Sequence, residues 1–341
     1  MMIFPLAAVF SNPIGLDTRD PWQVMVILVA GILLQVYGAR LLVEGATGVA
    51  RRMGIPDLVM GSTVVAFGVS APELFVSLWA AAKGQGDIAV GNVVGGVTAN
   101  ICLILGLSAL TRPLRFRPQL FQAEAPILVA AAALVAYLLR NSWVGRFEAC
   151  LLVFALAVYA VFVWFSSQVE ADSRVIYRME QDLPPAGPSK WVELVQLFGG
   201  MVLLFAGSRY LVKSAVTGAE MLGISQAGLA LAVIPLATSA PELFAVGSAL
   251  VRGEKNLPGG IVIGGCIFNC LGVLGLAGLF RPVLAPNVNQ LDLAVMLLAT
   301  FVVLPLLRAD EKQRRSIGVA LLVGYGLYLS HLLGRSLSSP S

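Results

Sequence analysis

Apolar stretches of about 20 residues alternate with short polar segments along most of the chain. The stretches fall near residues 23–42, 59–82, 89–110, 123–140 and 147–166, and again near 193–212, 227–251, 258–280, 293–308 and 316–333. A helix of about 20 apolar residues crosses the hydrocarbon core of a bilayer. The pattern therefore predicts an all-α polytopic membrane protein with ten transmembrane helices.

Composition supports this fold class. Hydrophobic residues make up 58% of the chain, charged residues make up 12%, and the mean hydropathy is +0.85. A chain with these values is not a water-soluble globule. The formal net charge of +4 reflects cationic loops, so we expect the lipid bilayer as a partner and no nucleic acid.

An internal repeat relates the two sets of stretches. Residues that recur 169 positions later are Gly38, Gly54, Glu73, Asn100, Arg112 and Pro113, matched by Gly207, Gly223, Glu242, Asn269, Arg281 and Pro282. A register held without insertion indicates a duplication. Because each copy has five helices, an odd number, the prediction is two inverted-topology five-helix repeats, as in secondary transporters.

The repeat divides the chain into five segments. These are an N-terminal extracytoplasmic segment at 1–22, a first repeat at 23–166, a linker loop at 167–192, a second repeat at 193–333 and a C-terminal tail at 334–341. Of the 23 Lys and Arg residues, 8 lie on the side of the termini and 15 on the other side. The positive-inside rule therefore places the termini outside and the linker in the cytoplasm of a cell whose plasma or inner membrane holds the protein.

Two glutamates stand in the middle of apolar stretches, each within the phrase Ser-Ala-Pro-Glu-Leu-Phe. They are Glu73 and Glu242. A charged carboxylate at membrane depth costs about 2.5 to 3.5 kcal/mol on insertion scales, so it is retained where it faces a partner or a polar cavity. Two equivalent carboxylates predict one shared cation site.

Proline in each phrase supplies further oxygen ligands. Pro72 and Pro241 interrupt helical hydrogen bonding and free carbonyl groups four residues or so upstream, which can line a cavity. The candidate carbonyl donors are those of Gly68, Val69, Ala237 and Thr238. Hydroxyl donors are Ser70, Thr238 and Ser239, and helical spacing directs the amides of Asn100 and Asn269 toward the glutamates. An oxygen-only set favours Ca²⁺ or Na⁺ as transported substrates, and no resident cofactor is expected.

These motifs resemble those of the calcium/cation antiporter superfamily, and within it the prokaryotic sodium/calcium exchanger family. The resemblance covers nearly the whole chain and rests on Gly68 to Glu73 with Gly91 to Asn100, and on Ala237 to Glu242 with Gly260 to Asn269. It implies ten helices in two inverted repeats, and calcium extrusion against inward sodium by alternating access. Residue by residue, it makes Glu73 and Glu242 shared calcium ligands, makes Ser70, Thr238 and Ser239 cation contacts, and places Asn100 and Asn269 at the centre.

The chain departs from the family pattern at several of these positions. Val69 replaces the usual threonine, Gly96 and Gly265 replace serines that resemble sodium ligands, and Asn269 stands where many relatives carry aspartate. The lost hydroxyls weaken the sodium sites more than the calcium site. More Na⁺ ions than carboxylates would leave excess positive charge at low dielectric, so H⁺, or fewer or different cations, is the alternative counter-ion.

Other readings of the sequence are an exchanger of another divalent cation, a cation channel and a transport-inactive homologue. An enzyme is not expected, because Asp87 is a lone loop acid and intramembrane proteolysis needs two aspartates. The oligomeric state is left open, and a monomer is compatible with the sequence.

The remaining acids near span ends are expected to reach water or headgroups; they are Glu44, Glu124, Glu148, Glu193 and Asp292.

Overall fold

The computed structural model describes residues 20–53, 68, 70–111, 120–169, 189–251 and 257–338. Its helices are α1 Pro21–Arg52, α2 Ala71–Ala82, α3 Gly86–Thr111, α4 Gln122–Asn141, α5 Arg146–Val169, α6 Lys190–Leu222, α7 Leu229–Thr238, α8 Ala240–Val251, α9 Pro258–Phe280, α10 Gln290–Arg308 and α11 Glu311–Ser338. Two short strands, β1 Trp143–Val144 and β2 Val283–Leu284, pair antiparallel between the loops that follow α4 and α9. The all-α membrane class is therefore confirmed, and this strand pair was not predicted.

Eight of the described helices are long and apolar enough to cross a membrane. The count rises to nine if α7 and α8, which meet at a bend of 43°, form one broken span. The predicted span at 59–82 is represented by the twelve residues of α2, and residues 59–67 lie outside the described part of the chain. Eight of the other predicted spans each coincide with one described helix, and the span at 227–251 corresponds to α7 and α8 together. The total of ten stays a prediction.

Helix boundaries recur at the offset of the sequence repeat. Helix α1 begins at Pro21 and α6 at Lys190, 169 positions later. Helices α2 and α8 share this offset at both ends, and each contains 12 residues. The duplication seen in the residues is thus also a duplication of local structure.

Helices α1 and α6 pack against each other in antiparallel orientation through glycines. A Cβ atom placed at Gly31 would lie 2.9 Å from the backbone nitrogen of Leu211, and one at Gly45 would lie 2.3 Å from that of Leu197. The repeat-equivalent Gly200 would approach the backbone nitrogen of Leu42 to 2.5 Å. Small residues allow helix backbones to touch in this way, and the two equivalent helices run in opposite directions.

The interior of the structure lies around α3 and α9. In their most apolar windows 83% of α3 and 72% of α9 is buried, against 28% for α1 and α6. Both inner helices carry the glycine and asparagine motifs predicted for the site. The less buried helices present apolar side chains outward, as a lipid-facing surface requires.

Two membrane acids differ from the sequence expectation. Glu193 and Asp292 were expected to reach water or headgroups, but both side chains are fully buried. Glu193 accepts hydrogen bonds from Arg52 at the end of α1, and Asp292 accepts from Arg335 and the hydroxyl of Tyr328. The expectation was wrong because each carboxylate is neutralised by an arginine of another helix.

Candidate cation site

The two glutamates lie in the first turns of α2 and α8, and both side chains are fully buried. A carboxylate near a helix N-terminus is stabilised by the helix dipole. Ser70 occupies the N-cap position of α2 but does not cap its own helix. Its hydroxyl instead donates to Oε1 of Glu242 at 3.1 Å, so the site joins the two copies of the repeat.

The proline phrase of the second copy breaks its helix where the sequence indicates. Helix α7 ends at Thr238 and α8 begins at Ala240, with Ser239 between them and a bend of 43°. The last carbonyl groups of a helix lack intrahelical partners, which agrees with Ala237 and Thr238 as carbonyl donors. In the first copy, Gly68 is buried next to the start of α2, and Val69 lies outside the described residues.

Several buried oxygens of the site have no hydrogen-bonding partner among the described residues. They are both carboxylate oxygens of Glu73, Oε2 of Glu242 and the hydroxyl of Ser239. Buried polar groups are almost always hydrogen-bonded, so each exception requires an explanation. A cation bound among these oxygens supplies one.

Electrostatics favours the same explanation. The two glutamates are close enough for their carboxylates to repel one another. Within the described part of the chain, the other buried acids, Glu193 and Asp292, are paired with arginines. The uncompensated negative charge is therefore concentrated between α2 and α8.

Asn100 and Asn269 are fully buried, and neither amide has a hydrogen-bonding partner within the described structure. We expected the amides to meet the glutamates, but no hydrogen bond joins them in this structure. A Cβ atom at Gly96 would lie 3.7 Å from Nδ2 of Asn269, so that amide is directed toward α3. The two asparagines remain available as central ligands.

Each of these asparagines is the first residue of a π-helical turn. The turns are Asn100–Leu105 within α3 and Asn269–Val273 within α9. Single π-turns inside α-helices are frequent at functional sites, because they shift backbone groups out of the regular hydrogen-bond ladder. The sequence analysis did not predict them.

Two further residues, Asn92 and Ser77, were not among the predicted ligands and belong to the site. Asn92 of α3 donates from Nδ2 to the carbonyl oxygen of Glu73 and to the hydroxyl of Ser77, both at 3.1 Å. Its Oδ1 accepts from the hydroxyl of Thr238 at 3.0 Å. The spacing of two helical turns between Asn92 and Asn100 places both side chains on one face of α3.

Comparison with known proteins agrees with this geometry. The sequence profile of the family described as "Sodium/calcium exchanger protein" matches residues 23–166 and 192–334. The chain is 34% identical over 292 residues to a candidate antiporter, CaxA, of Alkalimonas amylolytica, covering 85% of this chain and 91% of that one. It is 33% identical over 311 residues to the inner membrane protein YrbG of Escherichia coli, covering 90% and 95%.

A solved structure shares the fold. The sodium-calcium exchanger NCX_Mj, soaked with Na⁺ and Sr²⁺, superposes with a TM-score of 0.64 at 23% sequence identity. The match covers 91% of this chain and 99% of that one. The arrangement of helices around the two glutamates therefore has a counterpart of known structure.

Proposed function

Because this chain belongs to the sodium/calcium exchanger protein family, we propose that it extrudes Ca²⁺ from the cell in exchange for Na⁺ by alternating access. The observation that carries the proposal is the pair of fully buried, repeat-equivalent glutamates whose oxygens lack partners among the described residues. The family assignment makes the protein a membrane cation antiporter. The identity of the two ions and the direction of exchange are the proposal.

Calcium fits the donor set. Two ionised glutamates neutralise one divalent cation, and the remaining donors are hydroxyl, amide and carbonyl oxygens. Calcium takes six to eight such oxygens at about 2.3 to 2.6 Å, whereas Mg²⁺ resists full dehydration. The ligands we propose are Glu73, Glu242, Ser70, Thr238, Ser239, Asn100, Asn269 and the carbonyl groups of Gly68, Val69 and Ala237.

Alternating access is supported by how equivalent helices meet. Helices α1 and α6 touch in antiparallel orientation, as two repeats of opposite membrane orientation require. Broken helices that place ligands near mid-membrane are typical of transporters with inverted repeats. We therefore propose ten membrane helices in two inverted repeats, with the termini outside and the 167–192 linker in the cytoplasm.

The proposal is tested by ⁴⁵Ca²⁺ uptake into proteoliposomes preloaded with Na⁺. Uptake should follow the outward Na⁺ gradient and should fall by at least about 100-fold in Glu73→Gln, because a buried ligand charge is removed. The matched control is Glu311→Gln, whose exposed carboxylate pairs with Arg315 far from the site. Equal uptake by wild type and Glu73→Gln would contradict the proposed site.

A second candidate is proton-coupled exchange, favoured by the missing hydroxyls at Val69, Gly96 and Gly265. In Na⁺-free vesicles a proton gradient would then drive uptake. Unchanged uptake with the proton gradient collapsed and the Na⁺ gradient maintained would exclude this candidate. A channel, by contrast, would show no saturable counter-transport.

A further inference from the structure

Three cationic side chains line one surface cavity between α2 and α6. The cavity has a volume of about 260 Å³, and its polar and aromatic lining consists of Lys83, Arg209, Lys213, Trp79, Gln85 and Thr217. None of the described residues that line it is acidic. The sequence places only eight cations on the side of the chain termini. Three of these eight therefore surround a single cavity.

The indole ring of Trp79 holds two of these cations beside each other. The ammonium of Lys83 lies 4.9 Å from the ring centroid, and the guanidinium carbon of Arg209 lies 6.0 Å from it. The ring is buried and packs edge-on against Phe205, with 5.3 Å between the two centroids. Cation–π attraction to a fixed ring positions both cations. Lys213 follows Arg209 by one helical turn, so the third cation lies on the same face of α6.

A fourth cation lies next to the cavity. Arg281, at the end of α9, donates from Nη1 to the carbonyl oxygen of Ala82 at 2.9 Å. A Cβ atom at Gly84 would lie 3.4 Å from both Nη1 and Nη2 of this arginine. Because Lys83 and Gln85 flank that glycine, the guanidinium stands beside the turn that closes the cavity. The positive potential thus comes from three helices, α2, α6 and α9.

A group of like charges favours a bound anion, because an anion among them offsets their mutual repulsion. The nearby acids are directed elsewhere. Asp87, the acid closest to Lys83 in the sequence, accepts hydrogen bonds from the backbone nitrogen and Nδ2 of Asn287, both at 2.9 Å. Glu220, further along α6, is exposed and does not line the cavity. The cavity is therefore suited to an anionic ligand.

The surface of α6 next to the cavity is apolar. Val202 and Phe205 are exposed, and they precede Arg209 by seven and four residues, so the three side chains share one face of the helix. Helix α6 is long and apolar enough to cross a membrane. Along this face an apolar surface gives way to cations toward the C-terminal end of the helix. A ligand that matches both parts has an apolar tail and an anionic head.

The size and chemistry of the cavity fit the phosphate end of a phospholipid. Pockets for drug-sized molecules have volumes of about 300 to 1,000 Å³, so this smaller cavity has room for a headgroup and leaves the acyl chains outside. A guanidinium group binds phosphate oxygens with two parallel hydrogen bonds, and an ammonium group binds them as a point charge. Basic pockets between membrane helices bind anionic lipid headgroups in this way.

We infer that this cavity binds the phosphate of an anionic phospholipid through Lys83, Arg209 and Lys213, with the acyl chains along Val202 and Phe205. The lipid site is separate from the cation site and does not depend on which ions are exchanged. Lys83 caps α2, and the other two cations belong to α6. A bound phosphate therefore joins the helix that carries Glu73 to a helix of the other copy of the repeat.

The test is thermal unfolding of the purified full-length chain in detergent micelles to which phosphatidylglycerol is added. A ligand that binds the folded state raises Tm, so Tm should rise with phosphatidylglycerol and reach a plateau. Phosphatidylcholine with the same acyl chains carries no net charge and should leave Tm unchanged. Inorganic phosphate, which has no acyl chains, should also have no effect.

The two comparison ligands decide between sources of the effect. An equal rise with phosphatidylcholine would show that acyl chains alone suffice, and an equal rise with inorganic phosphate would assign the cavity to a soluble anion. Either result, or no rise with phosphatidylglycerol, would overturn the inference. Because the measurement involves no ion transport, its outcome is independent of the proposed exchange.

Two variants test the assignment of residues, and each removes one charge from the cavity. They are Lys83→Gln and Lys213→Gln. In both, the phosphatidylglycerol concentration that gives half of the rise in Tm should increase about tenfold, as loss of one charged contact to phosphate predicts. Lys213→Arg keeps the charge and should respond as the wild type does, which separates loss of charge from loss of packing.

The matched control is Arg140→Gln. Arg140 is another exposed cation over an aromatic ring, 4.1 Å from the ring centroid of Tyr137, and it does not line the cavity. Its response to phosphatidylglycerol should equal that of the wild type. An equal weakening in Arg140→Gln and Lys213→Gln would show that the lipid responds to overall charge, against the inference. A wild-type response of both Lys83→Gln and Lys213→Gln would also overturn it.

Discussion

The thiol of Cys266 lies 4.0 Å from the carbonyl oxygen of Val97, the residue at its own position in the other copy of the repeat. Helices α3 and α9, whose apolar windows are 83% and 72% buried, therefore contact each other at equivalent positions of the two copies.

Gly265 and Gly96 should respond differently to alanine. A Cβ atom at Gly265 would lie 2.6 Å from Oε1 of Glu242, whereas the nearest neighbour of one at Gly96 is Nδ2 of Asn269 at 3.7 Å. Gly265→Ala displaces a ligand carboxylate, so the dissociation constant for Ca²⁺ should rise about tenfold. Gly96→Ala should bind as the wild type does, and calorimetric titration of both proteins measures the difference.

The contact between α1 and α6 makes a prediction on stability. A Cβ atom at Gly200 would approach the backbone nitrogen of Leu42 to 2.5 Å. A Cβ atom at Gly199 would instead point into space that no other described helix fills within 4 Å. Gly200→Ala should cost about 1 to 3 kcal/mol, because neither backbone can yield. Thermal unfolding in detergent should show a lower Tm for Gly200→Ala and no loss for Gly199→Ala.

The buried ion pair between Glu193 and Arg52 should stabilise the same helix pair. The Glu193 side chain is 0% exposed and that of Arg52 is 46% exposed. Glu193→Gln leaves the guanidinium without its counter-charge, so the free energy of unfolding should fall by about 2 kcal/mol. Glu311→Gln removes an exposed pair and should leave Tm unchanged; an equal Tm for both variants would contradict this view of Glu193.

Ser70 and Ser239 occupy equivalent positions but should differ when mutated to alanine. The hydroxyl of Ser70 donates to Glu242, whereas that of Ser239 has no partner among the described residues. Without cations, Ser70→Ala should lower Tm and Ser239→Ala should not. Added Ca²⁺ raises Tm by binding the folded state, and this rise should shrink in Ser239→Ala; a full rise would exclude its hydroxyl as a ligand.

The sequence predicted the membrane spans and the glutamate pair for clear physical reasons. Bilayer thickness sets the length of an apolar helix, and the cost of a buried charge marks Glu73 and Glu242 as exceptional. The break between α7 and α8 was also predictable, because Pro241 cannot continue the ladder of hydrogen bonds.

Other features depend on contacts that residue types do not specify. The π-turns at Asn100 and Asn269 are a local change in the backbone hydrogen-bonding pattern, which many residue types can adopt. The burial of Glu193 depends on Arg52, which lies 141 positions away in the chain. The bond between Asn92 and Thr238 joins residues 146 positions apart, and residue types alone do not specify such a partner.

The hydrogen bond between Asn92 and Thr238 also makes the two halves of the chain non-interchangeable. A symmetric dimer of two first halves would pair asparagine with valine, the residue at position 69, and a dimer of two second halves would pair threonine with isoleucine, the residue at position 261. With the present residues, neither dimer of identical halves would form the bond. The contact therefore requires the two halves to differ at these positions, so neither half of the chain can stand in for the other.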